Sequence, residues 1–272
     1  MRARNLLILG AALAAATALS GAAGAVGPWP GLAASVTDLS AGVTYSAHMG
    51  NDGTTLKAMR NGRVLRTAKV DGLFGVPAVT SNGTGGGLSP DGRLLALAEP
   101  ARYDGLRARS RFLLISTAKL TPLRTLELPG EFGFDAISPD ARTLYVIQHV
   151  SDKDLIQYVV RAYDLRAHRL FARAIVDKRS PNEEMRGYPV SRATSSGGTW
   201  VFTLYTHLPA THGVFVHALN TAGRYAFCID LPSWPSGTNI WSAKLEISGR
   251  TVNVRVGRRQ VATIDLATLR VI

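Results

Sequence analysis

Leu88-Ser89-Pro90-Asp91-Gly92 is the stretch whose reading decides the fold. A serine or aspartate that opens a turn bonds nearby backbone, proline presets φ at the next position, and glycine accepts a positive φ. The stretch therefore predicts a hairpin turn. Its flanks agree: Pro77-Ala78-Val79-Thr80 and a glycine-rich run lie before it, Arg93-Leu94-Leu95-Ala96-Leu97-Ala98 follows, and both sides have strand character.

The turn recurs. Working outward, Ile137-Ser138-Pro139-Asp140-Ala141 repeats it closely, and Leu39-Ser40-Ala41-Gly42, Thr194-Ser195-Ser196-Gly197 and Ile247-Ser248-Gly249-Arg250 repeat it in outline. From first serine to first serine the steps are 49, 49, 57 and 53 residues. An alternating strand follows each turn (Val43 to His48, Arg93 to Glu99, Arg142 to His149, Thr199 to His207, Thr251 to Gly257), and two further strands follow that one. The count is four strands per repeat and five repeats. Such a unit cannot bury both of its faces alone, and radial stacking into a β-propeller solves the problem. Two packed sheets would also use many short strands, but they give no reason for a near-constant period carrying the same turn. The expected fold class is all-β: a β-propeller of about five four-stranded blades over residues 32 to 272.

The Ser-Pro-Asp-Gly turns, the strand Thr143-Leu144-Tyr145-Val146 and the pattern Ala262-Thr263-Ile264-Asp265-Leu266-Ala267-Thr268, matched by Ala162-Tyr163-Asp164-Leu165, resemble the WD-repeat and YVTN-type propeller superfamily and the repeats of TolB-like periplasmic proteins. The Gly-His to Trp-Asp signature of true WD repeats is missing. The resemblance implies a fold and leaves function open, because such propellers serve as binding scaffolds, partner platforms and, in some branches, lactonases or lyases.

The chain's start predicts export. Arg2 and Arg4, an apolar run from Leu6 to Leu19 and then Ala23-Gly24-Ala25 form a secretory signal peptide over residues 1 to 25, with 26 to 31 as a linker. The apolar run is shorter than the ~20 residues that span a bilayer, so membrane attachment is expected only if this segment stays uncleaved. Its removal lowers the formal charge from +12 to +10. A balance this basic favours acidic partners, yet the arginines, 25 of 31 basic residues, are scattered, and nucleic acid is not the expected partner. A single cysteine, Cys228, excludes an internal disulfide, and its apolar setting marks it as a buried small side chain.

In a propeller the serine turns lie on one rim, while the loops after the second and fourth strands lie on the other, where binding is expected. On that second rim the ends of the second strands supply His48, Glu99, His149 and His207, with His212 further along the last loop. Imidazoles and a carboxylate converging from several blades could hold a divalent metal that polarises an ester or lactone carbonyl. The loops after the fourth strands each bring an aromatic: Phe74, Phe132, Tyr188, and Trp234 with Trp241. These could stack on a sugar or a peptide side chain, or pack blade against blade.

Other constellations fail. Gly83-Thr84-Gly85-Gly86-Gly87 lacks the Lys-Ser/Thr of a phosphate loop and suits close approach to a crowded inner strand instead. No Gly-x-Ser-x-Gly elbow occurs. Asp135, Glu183 and Glu184 make a glycosidase pair only if the fold sets them opposite one another. The expectation is an exported, non-catalytic propeller, secreted or in the cell envelope, that binds a protein or an envelope polymer, an anionic one included, with no cofactor. The alternative is a metal-assisted hydrolase or lyase built on the His/Glu set.

Overall fold

The computed structural model describes residues 31–101, 105–207 and 213–272. The expected signal peptide, nearly all of the linker and His212 lie outside the described residues. Within them the chain is all-β, with two single-turn 3-10 segments, Ser196–Gly198 and Ile240–Ser242. Among the described residues no helix is long and apolar enough to cross a membrane.

Antiparallel sheets succeed one another along the chain. The first consists of Ser35–Asp38, Val43–Gly50, Gly53–Arg60 and Arg63–Val70, in that order. The second has three regular strands, Leu94–Ala98, Arg109–Ser116 and Thr121–Pro129. The third contains Glu131–Ile137, Thr143–His149, Gln157–Asp164 and Arg169–Leu170, with Met185–Arg186 added beside Gln157–Asp164. The fourth is Tyr188–Thr194, Trp200–Thr206, Phe215–Asn220 and Tyr225–Asp230, and the fifth Ala243–Ser248, Thr251–Val256, Arg259–Asp265 and Arg270–Val271. A short pair, Leu32–Ala33 with Val76–Pro77, makes a sixth, two-stranded sheet.

Each serine turn leads into a strand that pairs back onto the segment before the turn, and in three of the five turns the serine plays one role. Ser89 Oγ donates to Asp91 Oδ1 at 2.6 Å and accepts from the Leu94 amide at 2.9 Å. Ser138 does the same with Asp140 and Thr143, at 2.6 and 2.9 Å, and Ser195 Oγ accepts from the Trp200 amide at 2.9 Å. The serine thus ties the start of the second strand to the turn that leads into it. Gly92 takes the positive φ of 69°, and Ala141 adopts 53° at the equivalent place.

The second sheet departs from the four-strand plan at its inner edge. There the chain makes only isolated bridges to Leu94–Ala98, at Gly75 and Leu88, and folds between them into a small hairpin. Its ladder runs from the Val79 amide to Thr84 O (2.8 Å) and from the Gly86 amide to Pro77 O (2.7 Å), and the Ser81 amide reaches Pro189 O of the fourth sheet at 2.8 Å. Crowding dictates the glycines. A Cβ on Gly85 would lie 1.9 Å from Ser35 O, and one on Gly87 would lie 2.3 Å from Ala96 O.

Four apolar clusters join neighbouring sheets face to face. Tyr45 and Leu56 meet Leu95 and Ile115 between the first and second; Phe112 and Leu126 meet Phe134 and Val146 between the second and third. Tyr145 and Val160 meet Tyr205 and Leu219 between the third and fourth, and Phe202 and Val216 meet Leu245 and Ile264 between the fourth and fifth. Among the described residues no such cluster joins the fifth sheet to the first. The cause lies in their patterning: Ala243–Ser248 alternates buried Ala243 and Leu245 with exposed Lys244 and Glu246, and Gly53–Arg60 sets exposed Lys57 between buried Leu56 and Ala58. Sheets apolar on one face have no hydrophobic drive to close a ring. Leu94–Ala98, buried at four of five positions, belongs to a sheet covered on both sides.

Candidate functional site

On the rim away from the serine turns, Tyr188 and Trp241 come together, ring centroids 6.1 Å apart and planes at 70°. Trp241 is 39% exposed. Asn239 holds its backbone, Oδ1 accepting from the Trp241 amide at 3.1 Å. Trp234 is half-buried against the cluster between the fourth and fifth sheets, its indole Nε1 donating to Thr238 O at 3.3 Å. Phe74 and Phe132 are buried core residues, 3% and 2% exposed, and they pack between sheets, Phe74 with the Arg111 guanidinium 5.6 Å from its ring centre. Three of the five aromatics expected at this rim therefore offer surface to a ligand.

The His/Glu set divides. Glu99 and His149 both line a small axial cavity of about 50 Å³. Glu99 binds Arg111 there at 2.6 Å. Burial pushes the His149 imidazole down to about 3, partly opposed by a hydrogen bond with the Leu155 backbone. His48 lies exposed on the first sheet, and His207 lines a different hollow, its Nε2 2.8 Å from Arg186 O. Among the described residues no three His, Cys, Asp or Glu side chains converge as a metal group. The acids noted in the sequence also separate: Glu183 and Glu184 border the hollow of His207, and Asp135 sits at the axis.

Two buried ion pairs at the axis escape a sequence reading, because each joins segments far apart in the chain. Arg107 meets Glu131 through two parallel bonds, Nε to Oε2 at 2.7 Å and Nη2 to Oε1 at 2.5 Å. Its remaining donors reach the carbonyls of Glu99, Pro100 and Phe132, and so tie Arg107 to the segment that follows Leu94–Ala98. Arg192 on the fourth sheet binds both the carboxylate and the carbonyl of Asp135 on the third. One signal existed: Glu131-Phe132-Gly133-Phe134-Asp135 carries two acids in an apolar strand, and a buried carboxylate needs a cation.

The axis opens more widely on the serine-turn side. A funnel of about 580 Å³ lies there, and Val79, Phe134 and Arg192 border both it and the smaller cavity. No family model matches the chain, and no curated protein matches it. Solved structures do. They include a hydrazine synthase of Kuenenia stuttgartiensis (16% identity, TM-score 0.47) and the Cps50 (Swd1) β-propeller domain of Myceliophteria thermophila (13%, 0.47), each matched over 85% of this chain and 64% of its own. TolB of Acinetobacter baumannii matches at 12% identity and a TM-score of 0.41, over 87% of this chain and 52% of its own. This chain thus spans from about half to just under two thirds of these structures. By name, one of these is a β-propeller domain and another a TolB.

Behind the Asp135–Arg192 pair a polar row crosses the fourth sheet. Arg192 lies opposite Thr203, Thr203 opposite His217, and His217 opposite Cys228. Burial pushes the His217 imidazole down to about 4, and the Asp135 charge partly opposes this. Burial likewise pushes the Cys228 thiol up to about 12, helped by the charge of Asp177; the side chain is half-buried rather than fully buried, and borders the hollow of His207.

Proposed function

We propose that this chain is an exported five-bladed propeller, released from a signal peptide over residues 1 to 25, that binds a protein or cell-envelope polymer without catalysing a reaction. Its contact surface is the aromatic patch of Tyr188, Trp234 and Trp241. The observation that carries this is Trp241, 39% exposed yet held edge-on against Tyr188 and anchored by Asn239. A large aromatic fixed in place before binding loses little entropy when a partner covers it, and such residues supply most of the binding energy at interfaces. The titratable groups near the same rim favour binding over chemistry: Glu99 is paired with Arg111, and burial holds His149 neutral.

Immobilised wild-type protein and a Trp241→Ala variant, exposed to an envelope extract of the producing cell, test the proposal through retained protein and carbohydrate. The variant is expected to retain less than a tenth of the wild-type amount with its melting temperature unchanged. Equal retention would sink the proposal. N-terminal sequencing of the exported chain checks the signal peptide, with Val26 as the expected first residue.

A further inference from the structure

We infer that the funnel on the serine-turn rim is a binding site for a neutral, hydroxyl-rich small molecule of monosaccharide size. Strand direction sets it at the end of the sheets opposite Trp241, so it is a second site and not an extension of the aromatic patch.

Size is the first reason. Small-molecule sites occupy ~300–1,000 Å³, and the funnel, at about 580 Å³, lies within that span. The cavity on the other side of Val79 and Phe134, at about 50 Å³, holds only a few waters.

The wall chemistry is the second. The turn of the first sheet contributes Thr37 and Ser40, the hairpin of the second Thr84, and the fourth sheet Thr194, Ser195 and Ser196. Three sheets thus bring hydroxyl groups to one concavity. Between them Val36, Val79, Phe134 and Val201 give apolar surface for the C–H face of a sugar ring.

At the floor lies the Asp135–Arg192 pair. Besides the contacts the two make with each other, Asp135 Oδ2 and Arg192 Nε, both sealed from solvent, have no hydrogen-bond partner among the described residues. Buried polar atoms of this kind destabilise unless they are satisfied. One is an acceptor and the other a donor. A sugar hydroxyl is both at once and can donate to and accept from the hydroxyl-bearing wall above the pair, whereas a carboxylate can only accept and an ammonium can only donate.

Charge decides between a neutral ligand and an anion. The ionisable side chains lining the funnel are Asp38, Asp135 and Arg192, two negative and one positive. A chain of formal charge +12 therefore presents here a concavity that repels anions.

Saturation-transfer NMR on the purified protein tests this, with methyl β-D-glucoside, methyl β-D-galactoside, N-acetyl-β-D-glucosamine and glucuronate as probes. The expected result is transfer to at least one neutral sugar, with glucuronate at least tenfold weaker. Thr194→Trp, an exposed substitution on the funnel wall, should abolish transfer with an unchanged melting temperature, and Ser196→Trp serves the same purpose should the first variant misfold. Trp241→Ala should leave transfer as it was. Failure of every neutral sugar, glucuronate binding as well as they do, or transfer that survives a folded blocking variant overturns the inference. Loss of transfer with Trp241→Ala moves the sugar to the aromatic patch and equally overturns it.

Discussion

Arg192 on the fourth sheet binds Asp135 on the third twice, Nη1 donating to the Asp135 carbonyl at 2.5 Å and Nη2 to its carboxylate. Both side chains are nearly sealed from water, 10% and 3% exposed. Removing one charge from such a pair strands the other, which destabilises by about 3–5 kcal/mol. Arg192→Met is expected to cost that much, read from the midpoint of denaturant unfolding. The double variant Asp135→Leu, Arg192→Met should recover most of the loss, because no stranded charge remains. A double variant as unstable as the single one would show that the backbone bond to the Asp135 carbonyl carries the stability.

Stability should fall with acid before the carboxylates titrate. His149 and His217 are held neutral, pushed down to about 3 and about 4, while in the unfolded chain they titrate near 6.5. Below pH 6.5 the unfolded state therefore binds more protons than the folded one, and stability drops by about 1.4 kcal/mol per pH unit for each histidine. About one pH unit above 6.5 both states are neutral at these sites and the dependence vanishes. His217 faces Asp135, Arg192 and Asp177, whose charges partly cancel, so burial remains the dominant cause. Unfolding free energies at pH 7, 6 and 5 should show the slope between pH 6 and 5 halved in His217→Gln. An unchanged slope would locate the acid sensitivity elsewhere.

The inner hairpin of the second sheet makes a sharper mutational prediction. Gly85→Ala would drive a methyl to 1.9 Å from the Ser35 carbonyl, a backbone atom that cannot swing aside. Overpacking against yielding side chains costs about 1–3 kcal/mol, and here the loss should reach or exceed the top of that range. Gly197→Ala is the control. Its φ is +75° and no heavy atom lies within 4 Å of the added carbon, so it should cost only the ~1 kcal/mol of left-handed backbone. Comparable melting temperatures for the two variants would mean that the contact between the hairpin and the first sheet is not rigid.

These sites also mark where a sequence reading reaches and where it stops. The serine turns were legible because their bonds are local: Ser89 binds Asp91 and Leu94, all within one turn. The strands after them follow with ends shifted by one or two residues. Two departures have physical causes. Leu170 to Val176 reads as a strand, but regular pairing ends at Leu170. Phe171 and Ile175 still bond to Ala162 and Val160, so three residues loop out opposite one. The inner strand of the second sheet becomes a hairpin because Pro77 and the glycines break its ladder while tolerating the close approach of the first sheet. Asp135 and Arg192, 57 positions apart, meet only once the sheets have packed, and no local pattern announces that. The one-sided faces of the first and fifth sheets were written in the alternation of Lys57 with its neighbours and Lys244 with its own.

Those outer faces give the last prediction. Lys57 and Lys244 each stand between buried apolar neighbours on an exposed face, and nothing in the clusters joins the two sheets. Were the sheets to meet in solution, both ammonium groups would be desolvated unpaired or would need new partners, and replacing them would shift stability well beyond the ±0.5 kcal/mol typical of open surface. With the faces open, Lys57→Ala and Lys244→Ala should stay within that limit, alone and combined. Val254→Ala, on the buried face of the fifth sheet at 0% exposure, should cost about 2 kcal/mol through lost packing against the fourth. Chemical denaturation of the four variants decides the matter: a combined lysine effect as large as that of Val254→Ala would mean that the ring closes through these faces.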